Sequence, residues 1–294
     1  GVEERFKNSV DILKNVKASA EKHNELFYVM YDISGLSEEN LVEDLKADWQ
    51  QVILNDLDIT SSPSYAKDNG RPVVCLWGLG IREGTGEQYS ELIDWFHDKG
   101  CYVIGGVSKS WRDQIAKDEA MEKAFCKLDM LSPWSVGSAK TDSDVDSDAS
   151  ILAADKAYLD EKGIAYQPVM FPGFSWSNWK DNAVRNQIPR RAGDFMWRQA
   201  CNIAKQDIHC GYIAMFDEYD EGTAILKLAE DSSMIPKDQY FITASADGSY
   251  TSSDLYMRLA GYIPKVLRGE EEITEAMPQL LSEGPDGIRG GSEK

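Results

Sequence analysis

The chain has 294 residues, with 31 Lys plus Arg against 50 Asp plus Glu and a formal charge of −19. At 42% hydrophobic and 28% charged residues it can bury a sizeable core, which excludes wholesale disorder. An acidic excess with basic residues scattered, apart from the Arg190-Arg191 pair, repels phosphate backbones, so nucleic acid is a poor partner and a neutral substrate a better one.

The opening, GVEERFKNSV, has neither a basic n-region nor an apolar h-region, and no apolar run approaches the roughly 20 residues of a membrane span. The expectation is a soluble chain, or the mature form of one whose signal has been removed. FKNSVDILKNVKASAEKHN follows as a helix that places Val10, Leu13, Val16 and Lys17 on neighbouring turns. Short apolar runs then alternate with amphipathic stretches: LFYVMYDIS (26–34), PVVCLWGLG (72–80), CYVIGGVS (101–108), KLDMLSPWSV (127–136), IAYQPVMFPGFSW (164–176) and GYIAMFDEYDEG (211–222). Helical patterns lie between them at 89–100, 149–163 and 195–207, and Gly100 and Gly163 stand at C-terminal stops.

Alternating strands and helices with apolar strand faces predict an α/β fold with a parallel sheet, and its length suits one TIM-type (β/α)8 barrel over residues 1–268. Six strands are visible where a barrel needs eight, so either QQVILNDL (50–57) and QYFITASAD (239–247) hide weak strands or the chain lacks the first two. No G-x-G-x-x-G follows the first strand, and GLGIREGTG (78–86) is not a phosphate loop, so a nucleotide site has little support. Residues 269–294 turn acidic and Gly-rich and read as a tether. The aspartates of TDSDVDSDAS (141–150) fail as a calcium loop, because Ser147 and Ala153 stand where Gly and Glu are required; Asp146, Ser147 or Asp148 are expected to cap a helix instead. The five cysteines form no C-x-x-C pair and His23, His97 and His209 are far apart, which points to plain buried thiols and to no metal or other cofactor.

In a parallel barrel the chemistry sits at the carboxyl ends of the strands. The runs here end at Asp32, at Trp77, before Lys109 and Trp111, at Trp134, at Trp176, Asn178 and Trp179, and at Asp217, Glu218, Tyr219, Asp220 and Glu221. Indoles mixed with carboxylates suit a sugar cleft, since pyranose C–H faces stack on aromatic rings while hydroxyls need polar partners. AMFDEYDEGTAI places four carboxylates within five positions directly after an apolar strand. Two such groups held close shift each other's ionisation, leaving one protonated and one charged, which is the division of labour for glycosidic cleavage. Arg185, Arg190 and Arg198 can contact substrate or brace the final strand, but as charged residues on or before a helix they are expected to form surface ion pairs.

YVMYDISG (28–35), RPVVCLWGLG (71–80), FPGFSW (171–176), RNQIPRRAGDFMWRQ (185–199) and MFDEYDEGTAI (215–225) together resemble glycoside hydrolase family 99, the endo-acting α-mannosidases and α-mannanases, often grouped with family 71 α-1,3-glucanases. The family pattern F-N-E-W-H-E-G-T-Q-I-E meets F-D-E-Y-D-E-G-T-A-I-L here, with both glutamates, the Gly and the Thr in place. The resemblance implies Glu218 as the carboxylate that assists the substrate 2-hydroxyl, Glu221 as acid/base, retention through a 1,2-anhydro sugar, Trp77 as an aromatic wall and Asp32 as a polar residue at an early strand end. It also implies two further strands upstream, an oligo- or polysaccharide substrate, and a secreted or periplasmic location; a monomer is favoured. Asp217, Tyr219 and Asp220 depart from the pattern and bring extra negative charge, which should raise the pKa values of both glutamates. Three other readings accompany this one: a carbohydrate-binding barrel without turnover, an α-1,3-glucanase-like hydrolase, and a metal-dependent hydrolase using Asp217, Asp220 and Glu221 as oxygen ligands.

Overall fold

Apolar runs that alternate with amphipathic helices form parallel strands here, because both faces of each run find cover. The computed structural model describes residues 2–81, 84–180 and 182–279, with side chains from Ser9 onward. Contacts divide the chain into two units, Gly1–Trp134 with Asp160–Ala165, and Ser135–Leu159 with Tyr166–Lys294.

The first unit runs α1 (Val2–His23), β1 (Val29–Asp32), α2 (Leu41–Asp48), β2 (Lys67–Asp68), β3 (Arg71–Leu79), α3 (Gly86–Asp98), β4 (Tyr102–Ser108), α4 (Trp111–Ile115), α5 (Glu119–Phe125) and β5 (Met130–Trp134). β1, β3, β4 and β5 are parallel neighbours in that order, and β2 is an antiparallel flap on β3. One face carries Val74, Leu76, Val103 and Leu131, and α3, which packs on β4, buries Leu92, Ile93 and Phe96. The opposite face carries Met30, Cys75, Ile104 and Met130 in register. Two residues further along each strand, Asp32, Trp77, Gly106 and Ser132 form the next row on that face.

The second unit contains most of α6 (Asp142–Lys162), then β7 (Val169–Met170), α7 (Asp194–Lys205), β8 (Tyr212–Ile213) and α8 (Leu255–Leu267); β6 (Ala165–Tyr166) joins β5. β7 and β8 pair in parallel, Val169 with Tyr212 and Met170 with Ile213. The α/β class and the parallel strands are as expected. The pairings among the described residues form one sheet from β1 to β6 and the separate β7–β8 pair, and do not include closure into a ring.

Four local expectations change. QQVILNDL is helical, continuing from α2 in wider turns over Trp49–Asp56, with Leu57 N–H donating to Val52 O at 3.0 Å. A short apolar run cannot by itself distinguish strand from buried helix; burial of Trp49 and Ile53, four apart, decides for the helix. QYFITASAD forms no strand, and its Ala244 and Ser245 N–H groups bond to Ala229 O and Glu230 O of another loop at 2.8 and 3.1 Å. α3 starts before residue 89 because Thr85 and Gln88 form a reciprocal capping box at 3.3 and 2.9 Å. α6 likewise starts early: Thr141 Oγ1 accepts from Asp144 N at 3.2 Å and Asp144 Oδ2 accepts from Thr141 N at 2.9 Å. Asp146, Ser147 and Asp148 therefore lie inside the helix, not at its cap.

All five cysteines are free, and burial pushes the Cys75 and Cys101 thiols up to about 12. Of the expected tether, residues 280–294 lie outside the described residues, while Thr274 O accepts the Trp197 indole N–H at 3.1 Å. No helix among the described residues is long and apolar enough to cross a membrane.

Gly106 lies directly beneath Trp77, and a Cβ there would come within 2.6 Å of the indole Cδ1 and 2.9 Å of Trp77 Cα. Gly106→Ala should therefore cost about 1–3 kcal/mol through overpacking. Urea unfolding should show a lower midpoint at unchanged slope.

Candidate active site

The last strand is shorter than the sequence pattern implies. β8 stops at Ile213, and Phe216 is already 54% exposed. The chain instead folds back on itself. Met215 N–H donates to Thr223 O at 3.3 Å and Ile225 N–H to Met215 O at 3.0 Å, so Asp217–Gly222 becomes a closed loop. Gly222 permits the turn: its φ is +66, and a Cβ would stand 2.5 Å from Ile242 Cδ1.

Both glutamates hang from pinned backbone. Glu218 O accepts the Thr223 and Ala224 N–H groups, each at 3.1 Å, and Glu221 O accepts Ser175 N–H at 2.8 Å. Their carboxylates are half-buried and take no hydrogen bond from any described residue. Asp217 and Asp220 are exposed, and Tyr219 turns its hydroxyl to Lys227 O at 3.0 Å. Burial, then Asp220 and Asp217, push the Glu218 pKa up; burial, then Glu218 and Asp220, push Glu221 up against the pull of Lys180. The charged departures from the family pattern thus act on both glutamates as expected.

Arg190 holds this loop in place. It is 2% exposed, and its Nη2 donates to Gly222 O at 2.8 Å and Ala224 O at 2.7 Å, with the guanidinium 4.6 Å above the Tyr256 ring. This overturns the expectation of a surface ion pair. A buried guanidinium needs several oriented partners, and the loop supplies two of them, with Tyr256 and the charge of Asp247 adding to them. Gly173 makes the space, since a Cβ there would lie 2.6 Å from Arg190 Cγ and 2.8 Å from Ile188 O. Arg198 does form a surface pair, its Nε and Nη2 reaching the two oxygens of Asp146 at 2.7 and 2.6 Å. The sequence signal for Arg190 was no more than its place in the arginine pair.

Beside the glutamate loop, Ser175 is buried and bonded through Oγ to Ser177 Oγ at 2.8 Å. Trp176 packs edge-on against Phe174 at 5.0 Å and carries Lys180 Nζ 4.1 Å above its ring. Asn178 lines a polar pocket together with Asp220. Trp176, Asn178 and the loop Asp217–Glu221 thus belong to one neighbourhood of the second unit, to which Lys180, Arg190, Ser175 and Thr223 must be added.

The first unit carries its own set. Asp32, exposed, accepts Ser34 N–H at 2.8 Å and shares a sheet row with Trp77, which meets Trp134 edge-on at 5.1 Å. Trp111 does not belong to it: at 1% exposure it is core, because α4 turns its indole inward. No group of three or more His, Cys, Asp or Glu side chains among the described residues is placed to hold a metal ion.

Arg190→Met should destabilise the fold by about 1–3 kcal/mol for each carbonyl left without its donor, read as a lower urea midpoint. The glutamates give a pH signature. A carboxyl whose folded pKa is raised stabilises the fold below the ordinary glutamate value of about 4.3, and that contribution is lost as pH rises through the folded value. Glu221→Gln cannot ionise, so its stability relative to wild type should improve as pH rises from about 4 and then level off. A difference that is flat with pH would contradict the shift.

No protein-family profile matches the chain, and no curated protein matches it. Solved structures do. A GH99 endo-α-mannosidase from Bacteroides thetaiotaomicron, in complex with Bis-Tris propane, superposes with a TM-score of 0.63 at 14% identity, covering 86% of this chain and 74% of that one. A second structure of the GH99 endo-α-mannosidase from that organism gives a TM-score of 0.63 at 13% identity, over 87% and 70%. The chain therefore shares the fold of GH99 endo-α-mannosidase structures, the family that its sequence motifs resemble.

Proposed function

We propose that the protein is an endo-acting, retaining α-glycoside hydrolase of the α-mannosidase or α-mannanase kind. The observation that carries this reading is the pair Glu218 and Glu221. Both are half-buried on a loop pinned by Arg190, and both carboxyls are raised by burial and by neighbouring charge. The shared fold and the E-x-x-E-G-T spacing support it.

Burial raises both carboxyls and the Glu218 charge raises Glu221 further, so the pair releases its protons in separate steps and an interval of pH exists in which one is protonated and the other charged. In that interval Glu218 accepts the proton of the substrate 2-hydroxyl as its oxygen attacks the anomeric carbon, and Glu221 donates a proton to the departing oxygen. The resulting 1,2-anhydro sugar is opened by water, with Glu221 now taking the water's proton and Glu218 returning its own to O2. Two displacements at one carbon retain its configuration. No separate nucleophile is needed, which suits a loop whose other acids, Asp217 and Asp220, are exposed. Ring closure into a (β/α)8 barrel, Trp77 and Trp134 as sugar-stacking walls, and action on extracellular or periplasmic glycans are parts of the same proposal.

Glu218→Gln and Glu221→Gln should each abolish release of reducing ends from α-mannans while leaving the far-UV spectrum unchanged, and wild type should yield α-configured products by NMR. Retained activity in both variants would sink the proposal. Glycan binding without any turnover by wild type would favour a binding protein. Asp220→Asn removes a charge that raises both glutamates, so both limbs of the pH–activity profile should move to lower pH.

A further inference from the structure

The two hydrogens of Arg190 Nη2 end on two particular peptide units, at Gly222 O and Ala224 O, 2.8 and 2.7 Å away. A trans peptide is planar, with its N–H directed opposite to its C=O, so a grip on the oxygen also aims the N–H. The N–H that shares a peptide with Gly222 O is that of Thr223, and it donates to Glu218 O at 3.1 Å. The N–H that shares a peptide with Ala224 O is that of Ile225, and it donates to Met215 O at 3.0 Å and Phe216 O at 3.1 Å. Each unit therefore passes the hold of the guanidinium across to the incoming arm of the loop. One reaches the backbone of Glu218; the other reaches the two residues before Asp217. Hydrogen bonds arranged in series polarise one another, which strengthens such a relay.

Glu221 hangs from a different support. Its carbonyl accepts the Ser175 N–H at 2.8 Å, and the Gly222 N–H that follows turns back to Tyr219 O at 3.1 Å. The pair thus has two anchors, Ser175 for Glu221 and the relayed Arg190 for Glu218. Arg190 itself is 2% exposed, as are Thr223 and Ala224 at 0%, so its side chain meets no substrate. We propose that Arg190 is the positioning residue of the pair: through two peptide units it fixes where the Glu218 carboxylate stands relative to Glu221, and so sets the rate of the chemical step. The kinetic part of this inference rests on the hydrolase reading; the hold on Glu218 does not.

The test uses Arg190→Lys, which keeps the charge on a shorter side chain, and Arg190→Ala, which leaves room for free guanidinium. On an α-mannan oligosaccharide kcat should fall by about 100-fold in Arg190→Ala, the effect of displacing a reacting group by about an ångström, and less in Arg190→Lys, with KM unchanged. An α-mannobiosyl fluoride, whose leaving group departs without an acid, should lose as much, because Glu218 serves both substrates. Guanidinium at millimolar concentration should restore Arg190→Ala, and methylammonium should not. Wild-type kcat in the variants, a change in KM alone, an intact fluoride rate or failure of guanidinium to rescue would each overturn the proposal. Amide exchange read by NMR is independent of turnover. Exchange at Thr223 and Ile225 should quicken in both variants while the β4 amides keep their protection, and guanidinium should slow it again in Arg190→Ala. Unchanged exchange at Thr223 and Ile225 overturns the hold on Glu218. Quickened exchange supports it even if wild type turns over neither substrate, the result in which the hydrolase reading alone fails.

Discussion

The hydrogen bonds from the buried Arg190 guanidinium to the carbonyls of Gly222 and Ala224 constrain everything around the glutamate pair. A charge removed from water has to find several oriented dipoles, and here two of them come from the loop itself. The arrangement makes demands elsewhere. Gly173 must lack a side chain so that Arg190 can pass, and Gly222 must adopt a positive φ so that the loop can turn against Ile242. The glycines of FPGFSW and DEG, nearly 50 positions apart in the chain, thus serve one guanidinium.

With the backbone fixed, the side chains of Glu218 and Glu221 are left free to respond to charge. Burial raises both, and the acids at positions 217 and 220 add to the effect through space. Lys180 opposes it at Glu221 while resting on Trp176, so one lysine touches the pair's electrostatics and also lines the adjoining cavity. Burial thus sets the direction of both shifts first, and the neighbouring acids of the same loop add to it.

The first unit follows a simpler rule. Gly106 leaves the sheet flat where the Trp77 indole lies across it, and Trp134 closes on the indole edge. An aromatic surface is obtained by removing one side chain rather than by adding any.

Much of this was legible in the sequence. The apolar runs gave β1, β3, β4 and β5, because a strand buried on both faces leaves a continuous hydrophobic signature. The E-x-x-E-G-T spacing singled out Glu218 and Glu221, and the aspartates between and beside them foretold the direction of both pKa shifts. Other features were not legible, for physical reasons. A short apolar run such as QQVILNDL reads equally well as strand or helix until Trp49 meets Phe96 at 5.2 Å. Trp111 and Trp77 look alike at strand ends, and burial alone separates core from surface. Arg190 looks like any surface arginine, since its role depends on carbonyls 32 and 34 residues away. The sequence by itself determined the α/β class, the parallel strands β1, β3, β4 and β5 and the spacing of the two glutamates, because these follow from local apolar runs and residue order; tertiary structure decided which polar groups are buried, and so which of them brace the glutamate loop.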